Sequence, residues 1–324
     1  MAKQHLKLKL ILIVALQLTF GCSSLERRSG DRSAGESKTF DGGGVDDDGR
    51  LEDSESSDLQ PSPERSGIKD PPAFGLILGP GMALALSHSG VLKALEEAKI
   101  PIKAVVGMEW GAVIGAIYAK QGLANDVQWR VHKLKNEDLP GKSFFSSAIK
   151  AETTAGLSPY LKDALGTSVL NKGQLPFACP VFSLQKGRAF WVQSGSAVDG
   201  VSRCLAFPPF YEPYREDLVA DPYATELAVK YLKDRGANAI IFVDVLHAGE
   251  LMPKSLLKDQ YPSFVLWNEI RRNSRQSYAK MDNVIRVPTD SLTLLDFQQK
   301  QKLIQLGEKA GRQAVKALAE KYGI

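Results

Sequence analysis

The chain has 324 residues, 44% of them hydrophobic and 24% charged, with a formal net charge of +4. That length and balance allow one large folded domain once the ends are set aside, and they exclude a chain that is disordered throughout. No nucleic-acid partner is expected from so even a charge, and the four histidines, His5, His88, His132 and His247, show no metal-ligand spacing, so neither a metal nor another cofactor is expected.

At the N-terminus, Lys3, Lys7 and Lys9 accompany an apolar run from Leu8 to Leu18 that closes at Leu18-Thr19-Phe20-Gly21-Cys22. The run is short for a bilayer span and a polar, Ser-rich stretch follows at once, so residues 1–21 read as an export signal. Gly21-Cys22 resembles the lipobox of bacterial lipoproteins, with Phe20 its irregular member. The resemblance implies that Cys22 becomes an acylated N-terminus anchored in membrane lipid; ordinary secretion or a retained anchor are the alternatives. Ser23 after the cysteine resembles lipoproteins sorted to the outer membrane, which places the protein on the periplasmic side. Residues 22–72 are poor in aromatics and carry 13 acidic against 7 basic residues. Such a segment buries too little apolar surface to offset its ordering entropy and reads as a disordered acidic tether. Within it, Asp46-Asp47-Asp48-Gly49 lacks the alternating ligands of a calcium loop and reads as a solvated acidic run. The remaining domain, 73–324, is left modestly basic, which suits either an ordinary solvated surface or attraction to anionic lipid head groups.

In the domain, Phe74-Gly75-Leu76-Ile77-Leu78 predicts a buried strand that ends in Gly79-Pro80-Gly81. Leu86, Val91, Leu92 and Leu95 then mark a helix, and Val105-Val106 a second strand. Pro180–Leu184 and Ala189–Val192 flank a Lys186-Gly187-Arg188 turn and predict a hairpin. Leu227–Lys233 reads as a helix, Ala239–Val245 as the clearest strand, Val284–Val287 as another, and Phe297–Lys321 as a long closing amphipathic helix. Strands that lead through glycine loops into helices predict a three-layer α/β/α domain around a mostly parallel central sheet. Cys179 and Cys204 either pair or remain buried thiols, since two cysteines give no framework.

The centre of interest is Gly107-Met108-Glu109-Trp110-Gly111, which follows a strand and opens the apolar run Ala112–Ala119. Small residues on both sides of one position are what a sharp strand-to-helix elbow needs. A serine at its centre would be an attacking hydroxyl; here the centre is Glu109. With Gly75–Gly81, His88-Ser89-Gly90-Val91-Leu92 and Ile100–Gly107 beside it, this block resembles the patatin-like phospholipase family. Weaker echoes at Gly187-Arg188, Phe207-Pro208-Pro209, Gly236–Asp244 and Asp296-Phe297 carry the resemblance over most of residues 73–320.

The resemblance implies a serine–aspartate dyad and a glycine-rich loop that holds the oxyanion, and all three elements depart from it here. Glu109 stands at the nucleophile position. The oxyanion loop reads Gly79-Pro80-Gly81-Met82-Ala83-Leu84, where Pro80 removes a backbone donor and Leu84 replaces an arginine. Glu216 or Asp217 falls at the dyad-acid position, without the following glycines, whereas Asp41-Gly42-Gly43 lies in the tether. Ser87 and Ser89 read as helix serines rather than substitute nucleophiles. Trp110 reads equally as a plug of the acyl space or as ordinary packing. Glu109 is expected to be a carboxylate in a defunct pocket; attack by Glu109 itself, or a divalent cation shared with Glu216 or Asp217, are the alternatives. The expectation is a lipid-anchored envelope protein that binds a lipid or a protein partner without hydrolysing it; the competing reading is an acyl hydrolase with an unconventional catalytic residue.

Overall fold

The computed structural model describes residues 71–139 and 151–324. The export signal, Cys22, the tether and Asp41-Gly42-Gly43 lie outside the described residues.

Among the described residues, seven strands are formed: β1 (Phe74–Leu78), β2 (Ile102–Gly107), β3 (Phe177–Ser183), β4 (Arg188–Val192), β5 (Leu218–Ala220), β6 (Ala239–Asp244) and β7 (Asn283–Arg286). They make one sheet in the order β4-β3-β2-β1-β6-β7, with β5 also on β3. β1, β2, β3, β6 and β7 run parallel, and β4 and β5 antiparallel to β3. The continuous apolar runs of β1 and β6 are explained by burial on both faces. Alternate residues Leu76, Leu78, Val105, Ile241 and Val243 enter one core, and Ile77, Val106, Ile240 and Phe242 the other.

The larger core is covered by α1 (His88–Glu97), α2 (Trp110–Gln121), α3 (Ala124–Lys133), α4 (Ser158–Leu165), α5 (Ala197–Leu205) and α8 (Lys300–Tyr322). The smaller core is covered by α6 (Thr225–Asp234), through Ala228, Tyr231 and Leu232. Helix α7 (Tyr261–Gln276) adds Trp267 and Ile270 to the larger core. This is the expected three-layer α/β/α order. Both cores are complete within Gly67–Ile324, which forms one compact unit. A fully buried aliphatic or aromatic side chain stabilises by about 1.5–3 kcal/mol, so cores of this size can support the unit without the preceding segment.

Three local features differ from the sequence expectation or go beyond it. The first helix is split: Met82–Ser87 forms a 3-10 turn and the α-helix begins only at His88. The cause is a tight turn at Met82, whose φ is 45°, closed by Leu84 N–H donating to Gly81 O at 2.8 Å. Cys179 of β3 and Cys204 of α5 form a disulfide, which decides between the two readings of these cysteines. Finally, α1 and α8 cross so closely that a Cβ on Gly307 would sit 1.9 Å from the Ser87 carbonyl, and one on Gly90 would sit 2.1 Å from that of Ile304.

Candidate functional site at the strand–helix elbow

In a parallel α/β sheet, ligand sites form beyond the C-terminal ends of the strands. Here β1 ends in the Gly79–Met82 loop and β2 in the elbow, side by side, because Leu78 pairs with Gly107. Met108 N–H donates to Leu78 O at 3.0 Å, Gly111 N–H to Met108 O at 2.8 Å, and Ala112 N–H to Glu109 O at 2.8 Å. These bonds force Glu109 to φ 52° and ψ −124°. For a residue with a Cβ, such a backbone costs about 1–3 kcal/mol and persists only where its surroundings over-determine it. The surroundings do so: a Cβ on Gly107 would lie 2.4 Å from Gly111 O, and one on Gly111 2.4 Å from Leu78 O. The small residues predicted on both sides of the elbow are therefore required by its packing.

The Glu109 carboxylate points back under the Gly79–Met82 loop. Its Oε2 accepts from Gly81 N–H at 3.0 Å and from Met82 N–H at 2.9 Å. Two backbone N–H groups converging on one oxygen beside an elbow form the geometry that holds a developing oxyanion in acyl-transfer enzymes. Loss of the Pro80 donor leaves this pair intact, so the loop is less degraded than its sequence implies. Leu84 is fully buried and offers no charge. The cradle is occupied by the chain's own side chain.

Electrostatics at this point are a contest. Burial pushes the Glu109 carboxyl from 4.5 up to about 7, and the amides of Trp110, Gly81 and Met82 pull against it. Burial wins because the group has no exposed surface and its Oε1 finds no partner among the described residues. His88 is also fully buried; its Nε2 lies 2.8 Å from Gly79 O, which fixes the loop from behind. Burial lowers its pKa from 6.5 to about 4, against the Gly79 hydrogen bond, so the ring is neutral near pH 7. Tyr211 is buried beside Trp110 and Glu109, and burial first and the Glu109 charge second raise its phenol well above 10.

The other predicted residues fall as follows. Trp110 is wholly buried with its ring 4.9 Å from that of Phe297, which is packing on the elbow helix. Ser87 Oγ donates to Leu84 O at 2.6 Å and Ser89 Oγ to Leu86 O at 2.7 Å, both without exposure, so both hydroxyls are spent on the backbone. Asp217 accepts from Ser183 Oγ at 2.7 Å and from Gln185 N–H at 2.9 Å, which ties it to the β3–β4 hairpin. Glu216 sits on the same turn with φ 59°. Neither is joined to Glu109, and among the described residues no group of acids is placed to hold a metal ion.

The acid that the topology brings to the elbow is Asp221, which sequence reasoning missed. Pro176 O accepts from Val105 of β2 and Pro180 O accepts from Asp221, so β2 and β5 use the same edge of β3. Strand β5 thus continues the line of β2 in the opposite direction. Its C-terminal end, Ala220-Asp221, meets the end of β2 where the elbow turns. The Asp221 carboxyl is raised by partial burial, against a hydrogen bond from Tyr223 N–H at 3.1 Å. Proximity of Pro222-Tyr223 in sequence was the available signal; the register on β3 was needed to use it.

No protein-family model matches the chain. Sequence relatives are nevertheless found among fungal enzymes. The lysophospholipase NTE1 of Coccidioides immitis is 26% identical over 284 residues, covering 78% of this chain and 18% of that protein. The lysophospholipases of Aspergillus fumigatus, 25% identical over 279 residues, and Yarrowia lipolytica, 24% over 283, each cover 76% of this chain. The chain is thus similar to lysophospholipases over about three quarters of its length. It spans only 18–20% of the length of these relatives. Among solved structures, VipD from Legionella pneumophila matches with a TM-score of 0.43 and 14% identity, over 78% of this chain and 67% of that one.

Proposed function

We propose that this protein is a non-hydrolytic patatin-like module that binds lipid at a bacterial envelope. The observation that carries the reading is the Glu109 carboxylate seated on the amides of Gly81 and Met82. A carboxylate there fills the position that a reacting carbonyl oxygen would need, and the centre of the elbow carries no serine to attack one. The full burial of Glu109 also favours this reading over one in which it attacks a substrate. The lipid character of the ligand is supported by the lysophospholipase names of its sequence relatives. Anchoring through acylated Cys22, with the tether carrying the domain on the periplasmic side of the outer membrane, is supported by the N-terminal pattern of basic residues, apolar run and Gly21-Cys22. The disulfide suits such an oxidising compartment.

Hydrolysis of phospholipids and short-chain esters by residues 67–324 tests the reading, beside Glu109→Ala and Glu109→Ser. Wild type and Glu109→Ala are expected at background. Glu109→Ser vacates the cradle, supplies a hydroxyl on the strained turn, and is expected to gain ester hydrolysis that Asp221→Asn, at the end of β5, reduces. Turnover by wild type that disappears in Glu109→Ala would falsify the proposal and make Glu109 catalytic.

A further inference from the structure

On the far side of β1 from the elbow, the same end of the sheet carries a second group of charges. Strands β6 and β7 end at Asp244 and Arg286, which are register partners. Two residues earlier, Phe242 and Val284 both face the smaller core, so Asp244 and Arg286 leave the sheet on that face too. Helix α7 brings Arg271 and Arg275 to the same place, one turn apart on one side of the helix. Arg271 Nη2 donates to Gly249 O at 2.7 Å and Arg275 Nη2 to His247 O. The His247–Gly249 loop is thus held by two guanidiniums. It is closed from the other side by the Asp290 backbone, which a Cβ on Gly249 would meet at 2.7 Å.

The charges gathered here do not balance. Among the described residues, Arg271, Arg275 and Arg286 form no ion pair. The neighbouring carboxylates are engaged elsewhere: Glu250 holds Lys254 at 2.8 Å, Glu269 holds Arg272, and Asp244 accepts from Leu246 N–H at 2.7 Å and from the Tyr278 hydroxyl. Asp290 is exposed and acts on His247. Three guanidiniums therefore stand against Asp244 and Asp290. Burial first, and then the Arg275 charge, lower the Arg271 pKa. Burial also lowers that of His247, with Arg286 and Arg275 adding to the effect and Asp244 and Asp290 opposing it. Arg271 Nε and His247 Nδ1 are enclosed with no partner among the described residues. Guanidiniums that are pinned by one N–H each, repel one another and keep donors unused are a receptor for an oxyanion. A phosphate suits them better than a carboxylate, because it offers three acceptor oxygens and a charge of roughly −1.5 to −2 to planar donor forks.

We propose that Arg271, Arg275, Arg286 and the His247 loop, at the ends of β6 and β7, form a binding site for a phosphate group. The inference is independent of what Glu109 does and requires neither an acyl chain nor an ester bond in the ligand.

Calorimetric titration of residues 67–324 with inorganic phosphate tests it, together with an NMR pH titration of the His247 ring. Vesicles of phosphatidylcholine with and without phosphatidic acid form a second arm, which separates a phosphate carried on a membrane surface from a free one. The expected result is saturable binding of free phosphate, weakened on the order of tenfold in Arg275→Ala/Arg286→Ala. The bound anion should also raise the His247 midpoint, because it favours the charged ring that Asp244 and Asp290 support and Arg275 and Arg286 oppose. Arg286 is exposed and clamps no loop, so Arg286→Ala alone should melt like wild type and still bind several-fold more weakly. Lys103→Ala removes an exposed cation at the opposite end of β2 and should bind as wild type does. Binding confined to the vesicles with phosphatidic acid, and lost in the same arginine variants, would assign the phosphate to a membrane surface. No saturable binding in either arm, a His247 midpoint unmoved by the phosphate source that binds, or an equal loss in Lys103→Ala overturns the proposal.

Discussion

The elbow at Glu109 and the turn at Arg215-Glu216 both hold non-glycine residues at positive φ, yet they use that strain in opposite ways. At the elbow the strained residue is enclosed: Gly107 and Gly111 allow no larger neighbour, and its side chain is fixed by two buried amides. At the turn the strained residues are displayed, held by a short bridge to β5 and by Asp217 on the hairpin. Enclosed strain fixes a side chain against any ligand, whereas displayed strain offers one. On the proposed reading, the enclosed carboxylate blocks the cradle while the turn remains exposed to solvent.

If enclosure is what matters, substitutions around the elbow should be far more costly than those around the turn. The largest effect is expected for Gly307→Ala, whose Cβ would press on the Ser87 carbonyl at 1.9 Å. It should destabilise by about 3 kcal/mol or abolish folding, whereas Gly156→Ala, with nothing nearer than 4.0 Å, should be close to neutral in urea unfolding. Opening the disulfide by Cys179→Ala/Cys204→Ala should cost about 3 kcal/mol, given the sequence separation of 25.

The pH dependence sharpens the comparison further. Folding raises the Glu109 pKa from 4.5 to about 7, so its contribution is full below pH 4.5 and is lost as pH rises through 7. Folding lowers the His88 pKa from 6.5 to about 4, so its contribution is full above pH 6.5 and is lost as pH falls through 4. The two slopes oppose each other between pH 4.5 and 6.5. Glu109→Gln should expose the His88 slope, with stability falling by about 3 kcal/mol from pH 6.5 to 4. His88→Gln should expose the Glu109 slope, with stability falling by a similar amount from pH 4.5 to 7. Denaturant melts across this range read both; identical profiles in the two variants would contradict the assignment. The smallest effect is expected for Asp217→Ala at the displayed turn, a slight fall in melting temperature with no change at the elbow.

Much of the enclosed region was legible in the sequence, because its parts are local. The glycines of Gly107–Gly111 and the loop after β1 mark the elbow and cradle without knowledge of any distant contact. What Glu109 does there was not legible: its bond to Gly81 and Met82 spans 27–28 residues and depends on β1 pairing beside β2. The acid nearest the elbow along the backbone could not be picked out for a similar reason. Glu216, Asp217 and Asp221 lie within six residues, and only the register of β5 on β3 separates the acid at the elbow from those at the hairpin. The Cys179–Cys204 pairing likewise required α5 to be laid beside β3, which no spacing rule supplies.

The contact between α1 and α8 has a consequence for how the molecule comes into being. Helix α8 lies furthest along the chain of all described elements, so it is made, and passes through any export pore, after them. Before it arrives, the turn at Ser87 lacks Gly307; the segment just ahead of it supplies Leu294 O, which holds Ala83 N–H at 3.1 Å, and Phe297, which packs on Trp110. Both disulfide cysteines have emerged by then. Chain order thus permits the covalent tie to form before the elbow is packed, and a nascent chain halted short of Leu294 is expected to leave Ala83 and Trp110 without these partners.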